Sequence, residues 1–163
     1  MKKTILFFAL GGTLALSAQT PHFGVQGALS LPTNRLSDNG NTGLQLGGHA
    51  KWDFRGGHGL MGRADVAFYG QNHDIDVTNL AAAADYTYHL ERGDQGAYLL
   101  GGVALQHYHT SFPGNSRNDG GLGLDLGAGY DLDRHLGLQV RYTTASFNDF
   151  TYSALNLGVT YTF

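Results

Sequence analysis

The stretch QHYHTSF, residues 106–112, holds the densest set of reactive side chains in this 163-residue sequence: His107 and His109 two positions apart, then Ser111. A histidine beside a serine can act as general base and nucleophile when a third group orients the imidazole. The two histidines would share one face of a strand and offer two nitrogen ligands, but a metal site needs three or four ligands with supporting partners. No third ligand has a matching spacing, so neither metal nor cofactor is expected. The second set is a series of charges set among apolar residues: Lys51, Asp53, Arg63, Asp65, Asp85, Asp125 and Arg141. What these groups can do depends on what holds them.

Period-two alternation supplies the scaffold, in eight runs separated by turn-forming residues. HFGVQGALSL sets Phe23, Val25 and Leu29 opposite Gly24, Gln26 and Ser30, and TGLQLGGHAKWDF sets Leu44, Leu46, Trp52 and Phe54 opposite Gln45, His49, Lys51 and Asp53. LMGRADVAFYG separates Leu60, Val66 and Phe68 from Arg63 and Asp65; VTNLAAAADYTYHL separates Leu80, Tyr86 and Tyr88 from Asn79, Asp85 and His89. The sixth run, GGLGLDLGAGYDL, keeps Leu122 to Tyr130 away from Asp125 and Asp131; the seventh, LGLQVRYTTASF, keeps Leu138 and Val140 away from Arg141; the eighth is SALNLGVTYTF. In the fifth, AYLLGGVALQHY, Leu99, Val103 and Leu105 favour odd positions on the greasy face while Tyr98, Leu100 and Tyr108 favour even. Odd is taken here, although a bulge that turns both ends outward also fits.

Composition agrees with an all-β chain of one domain: 25 glycines, 42% hydrophobic, 14% charged, three prolines. There is no cysteine to staple an exported domain, and no basic patch for nucleic acid. Residues 1–18, with Lys2 and Lys3 before an uncharged run and small residues around Ala18, have the three regions of a secretory signal peptide. Its removal after Ala18 takes two lysines and no acid, moving the formal charge from −3 to −5 and leaving 19–163 as the mature chain.

Alternation alone does not say which face meets water. The charged positions sit mid-strand among glycines, as in a crowded interior, and the greasy face is free of charge in seven runs and rich in aromatics at its ends. That is the apolar-out, polar-in pattern of a transmembrane barrel with interfacial girdles. With the first strand starting at the periplasmic side, Phe23, Trp52, Phe54, Tyr86, Tyr88, Tyr130, Tyr161 and Phe163 fall at the periplasmic rim. The connections RGGHG, ERGDQG and DRH lie there too, and the longer PTNRLSDNGN, GQNHDID, HTSFPGNSRND and FNDFTY lie outside. The interior charges are expected to form cross-strand pairs: Phe54 paired with Leu60 sets Arg63 facing Lys51, Asp85 facing Arg63 with Asp53 on the diagonal, and Arg141 opposite Asp125 or within one rung of it.

Residues 22–163 resemble the small eight-stranded outer-membrane barrels of the OmpA and OmpX type, and GVTYTF at 158–163 resembles their aromatic ending. The resemblance implies an antiparallel up-and-down barrel in the outer membrane of a diderm bacterium, exported by a cleaved signal. It also implies recognition of Phe163 by the barrel-assembly machinery, and lipid and lipopolysaccharide as neighbours. Eight strands leave an interior just wide enough to be filled by side chains. The expected role is a monomeric, non-enzymatic barrel serving envelope integrity or surface interaction through a loop ligand the sequence does not name. Two alternatives stay open. One is a small-solute channel. The other is a lipid A-modifying enzyme, since His109-Thr110-Ser111 resembles the His-x-Ser of outer-membrane lipid A deacylases. Those enzymes carry Asn after the serine and an acid about a dozen residues on, where this chain has Phe112 and Gly123.

Overall fold

The computed structural model describes residues 20–72, 75–91, 95–147 and 150–163. The signal peptide expected at 1–18 lies outside the described residues, as does His73 of the second outer connection. The chain forms β1 (His22–Asn34), a short helix α1 (Arg35–Asn39), β2 (Gly40–Asp53), β3 (His58–Asn72), β4 (Ile75–His89), β5 (Gly96–Phe112), β6 (Asn115–Asp131), β7 (Leu136–Phe147) and β8 (Phe150–Thr162). Each strand pairs antiparallel with its sequence neighbours, and β1 pairs with β8 from Gly24↔Thr162 to Asn34↔Tyr152, closing the barrel. Closure leaves no unpaired edge, which is the condition for a sheet to cross lipid. No helix among the described residues is long and apolar enough to cross a membrane.

Burial is inverted relative to a soluble sandwich. Leu105 and Leu126 are 66% exposed on the outer face, whereas Arg141 and Asp125 on the inner face are 2% and 1% exposed. The fifth strand follows odd parity without a bulge: Leu99, Val103 and Leu105 face out, and Tyr98, Leu100 and Tyr108 are buried inside.

Two features differ from the sequence reading. The first is register. Phe54 N–H donates to His58 O at 2.6 Å, and Gly56 and Gly57 both take φ of 82°. Only glycine adopts that backbone freely. The turn therefore closes two residues earlier than a Phe54–Leu60 pairing, so Arg63 faces His49 and Lys51 faces Met61. On the next seam Asp85 faces Met61 and Arg63 faces Ala83. The second is strand length. HTSFPGNSRND is not a loop: β5 and β6 stay paired up to Phe112↔Asn115, and the turn at Pro113 and Gly114 uses a φ of 80° at Gly114. The turns at Phe54–Gly57 and 132–135 mark a short-turn end, where β4 also ends and β5 begins; the opposite end carries α1 and the tall β5–β6 hairpin.

Candidate functional site

Interior glycines make room for the charges. Asp65 faces Gly47 across β2–β3, Asp85 and Asp125 both face Gly102 of β5, and Arg141 faces Gly127. A Cβ at Gly102 would run into the Ala84 carbonyl oxygen and the Asp85 carboxylate. Long polar side chains thus extend across the lumen over backbone that carries no side chain of its own.

Arg63 is the hub. Its Nε donates to Asp85 Oδ2 at 2.6 Å, and its two terminal nitrogens donate to Asp65 and Asp125. Arg141 reaches Asp65 at 3.7 Å and donates to Gln139 Oε1 at 2.8 Å and Gln45 Oε1 at 3.1 Å. Thr143 donates to Asp125 at 2.5 Å, and Gln26 donates to Asp65. The expectation of separate cross-strand pairs is therefore corrected. Arg63 pairs with Asp85 on a diagonal and with Asp125 across the lumen, and Arg141 lies one rung from Asp125 yet makes its ion pair with Asp65. One connected network of three carboxylates and two guanidinium groups crosslinks β3, β4, β6 and β7. Buried charges are tolerated in this way, each matched by opposite charge and hydrogen bonds.

Toward the short-turn end lies a second cluster. Lys51 Nζ is 2.9 Å from Asp131 and 3.7 Å from Asp53, and His89 Nε2 is 3.1 Å from Asp131. Below it opens a vestibule of about 290 Å³ lined by Lys51, Asp53, Asp131, Arg134 and His135 among others. In the β6–β7 turn, the backbone amides of Leu136 and His135 hold the Asp133 carboxyl below the usual carboxylate range.

Toward the other end the lumen turns apolar. Leu36 of α1 is fully buried against Tyr69, Val77, Tyr108, Phe147 and Tyr152, and Tyr108 meets Phe147 and Tyr152 edge-on at 5.6 and 4.9 Å. Among the described residues, one polar cavity of about 10 Å³ lies between cap and charges, walled by Asn79, Gln106 and Thr143, and another of the same size lies beside Arg141 toward the short-turn end, walled by Gln26, Gln139 and Thr160. That is room for a single water in each. The cap residues and Asp131 were missed as site residues in the sequence; the even-position aromatics Tyr98 and Tyr108, once assigned to the lumen, were the signal available.

The remaining expected residues are placed as follows. Phe23, Tyr86, Tyr88, Tyr130, Tyr161 and Phe163 are exposed on the outer face at the short-turn end, and Trp52 and Phe54 there are half-buried. His58 packs against Tyr86 and Tyr88, His135 stacks on Tyr161, and Phe163 N–H donates to Phe23 O at 2.8 Å. His109 and Ser111 lie on the outward face of the hairpin, above Leu105, the last large apolar residue of β5 on that face. His109 Nδ1 bonds Asn118 Oδ1 at 2.7 Å, and no hydrogen bond joins His109 to Ser111. The two acids of β6 nearest Gly123 do not reach the imidazole: Asp119 is held by Arg117 on the other face, and Asp125 is buried in the lumen network. Asp76 of β4 stands opposite Ser111, a neighbour the sequence reading did not consider. Among the described residues no group of three or more His, Asp or Glu could hold a metal ion.

Comparison with known proteins gives one family and several folds. Residues 4–163 match the family described as outer membrane protein beta-barrel domain. A comparison with curated protein sequences finds no match. Among solved structures, Ail, the attachment invasion locus protein of Yersinia pestis, superposes with a TM-score of 0.61 at 18% identity, over 88% of this chain and 97% of that one. Ail has also been solved in complex with the heparin analogue sucrose octasulfate. Neisserial surface protein A gives 0.59 at 15% identity over 88% and 97%, and the N-terminal β-barrel domain of Pseudomonas aeruginosa OprF gives 0.53 at 14% over 88% and 100%. At these identities the structures speak for the shared eight-stranded fold.

Proposed function

The chain belongs to the outer membrane protein beta-barrel domain family, and from that premise we propose that it is a monomeric, non-conducting and non-enzymatic barrel that carries a surface-interaction site on its outer hairpins. The short-turn end faces the periplasm and the long β5–β6 hairpin faces the surroundings, with lipid and lipopolysaccharide around the wall.

The observation that carries this reading is the contrast between a lumen blocked at two levels and a hairpin that continues past the greasy face. From Leu105 to Phe112 the two strands add roughly 20 Å of paired backbone, and the outward positions there are His107, His109, Ser111, Asn118 and Ser116 rather than leucines. A rigid stalk with a polar face suits presentation to a partner, and binding groups on rigid scaffolds usually sit on such projections. Attachment is the role carried by the name of the Ail barrel, and its fold supports the same use here.

The test replaces residues 109–118 by a two-residue Asn-Gly turn and compares cells carrying this variant, the parent or no barrel. The expected result is unchanged barrel level, unchanged detergent resistance and lost adhesion to surfaces that the parent binds. Retained adhesion together with detergent sensitivity would move the role to envelope integrity. Lipid A from cells with and without the gene should give identical acyl patterns by mass spectrometry; a missing acyl chain only when the gene is present would assign chemistry to His109 and Ser111.

A further inference from the structure

The vestibule at the short-turn end is a bay with no way through. Its volume of about 290 Å³ falls just under the ~300–1,000 Å³ of small-molecule pockets. Lys51 and Asp131, joined at 2.9 Å, form its inner wall, and the charges held by Arg63 close the lumen behind them.

Most of the charge around the bay is already committed. Asp131 accepts from Lys51 and bonds His89 at 3.1 Å. The Asp133 carboxylate accepts from the amides of His135 and Leu136 within its own turn. His135 bonds the Thr162 carbonyl through Nδ1 at 2.8 Å and stacks on Tyr161. Two groups of opposite sign are left over. Asp53 accepts no hydrogen bond among the described residues, its nearest cation being Lys51 Nζ at 3.7 Å. Arg134 is exposed and makes neither an ion pair nor a hydrogen bond among them.

Both are fixed in place, and apart. Asp53 points inward from β2 with its carboxylate over Gly59 of β3, where a Cβ would stand 3.4 Å from it. Arg134 sits in a turn closed by the N–H groups of Leu132 and Asp133, which donate to Leu136 O at 2.9 and 3.3 Å. The end of β2 and the β6–β7 turn bound an arc that runs through β1 and β8, and no ion pair joins Asp53 to Arg134. A carboxylate and a guanidinium, both unpartnered and separated across one small bay, complement a molecule with an ammonium at one end and a carboxylate at the other.

We propose that the vestibule binds a small zwitterion of amino-acid to dipeptide size, its ammonium on Asp53 and its carboxylate on Arg134. The guanidinium offers a fork of donors that matches a carboxylate. Asp53 supplies the acceptor that an ammonium, with three donors, requires. His22, paired with Lys51 across β1–β2, and Thr162 of β8 line the wall between them. The blocked lumen above makes this a place of binding and not of passage, independent of the outer hairpins at the other end.

The test titrates alanylalanine into the isotope-labelled, folded barrel in uncharged maltoside micelles, at fixed pH and ionic strength, and follows the backbone amides by NMR. Saturable shifts are expected at Asp53, Arg134 and Thr162, and none at Ser116 on the outer hairpin. N-acetylalanylalanine, which lacks the ammonium, and alanylalaninamide, which lacks the carboxylate, should each bind about three- to fivefold more weakly, the scale of a partly solvated ion pair. Asp53→Asn should weaken alanylalanine by the same factor and leave the acetylated peptide unchanged. Arg134→Gln should weaken alanylalanine and leave the amide unchanged, with Arg134→Lys restoring most of the loss. Heat-shifted gel mobility checks that each variant is folded. Shifts that grow without saturating would overturn the site. Equal affinity for the acetylated peptide would overturn the Asp53 contact, and equal affinity for the amide would overturn the Arg134 contact.

Discussion

Arg63 holds three carboxylates at once and Arg141 shares only one of them, so the two arginines should not be equivalent. Arg63→Met strands Asp85 and Asp125 and should cost the folded barrel about 3 to 5 kcal/mol, as for other buried charges left without a partner. Arg141→Met leaves Asp65 still bonded to Arg63 and Gln26 and should cost less. Denaturant unfolding in lipid vesicles gives both values. A double-mutant cycle should show strong coupling between Arg63 and Asp125 and weak coupling between Arg141 and Asp125; the reverse order would return the network to simple neighbouring pairs. Gly102→Val should destabilise by about 1 to 3 kcal/mol through overpacking against Asp85. At this scale the sequence was half legible. Parity and the surrounding glycines are enough to direct Arg63, Asp65, Asp85, Asp125 and Arg141 inward. Who meets whom was not legible, because contacts such as Arg63–Asp125 join strands that are not neighbours.

At the level of the elements, all eight strands were readable from their two-residue period, yet their upper ends and registers were not. Above the greasy face the pattern loses its apolar half, so the paired segment 109–118 carries the Pro, Gly, Asn and Ser that ordinarily signal a loop. The turn after β2 shows how register escapes a sequence reading: two glycines at positive φ close it at His58, and one shorter turn moves every rung of β2–β3 by two residues without changing which face any side chain occupies. Cysteines distinguish the two registers. Ala50→Cys with Gly62→Cys, directly paired on the outer face, should oxidise readily to a disulfide, while Ala50→Cys with Ala64→Cys, the pair of the longer turn, should not. Efficient bridging of the second pair would refute the register, since a disulfide tolerates only about 4.4 to 6.8 Å between Cα atoms.

For the whole molecule, the lumen is closed in series. A charged network spans its middle, Leu36 and four aromatic residues cap one end, and two cavities among the described residues each have room for a single water. A path for ions would require breaking Arg63 away from its three carboxylates as well as lifting Leu36, and neither happens without exposing buried charge or apolar surface. Closure follows from the number of strands together with what fills them: an eight-stranded barrel is narrow, and Gly47, Gly102 and Gly127 leave room for the long side chains that cross it. Single-channel recording of the purified, folded barrel in a planar bilayer tests this most directly. A filled lumen predicts a baseline without steady conductance steps across the accessible voltage range; a stable open level of uniform size would mean a wet, continuous pore and would contradict it.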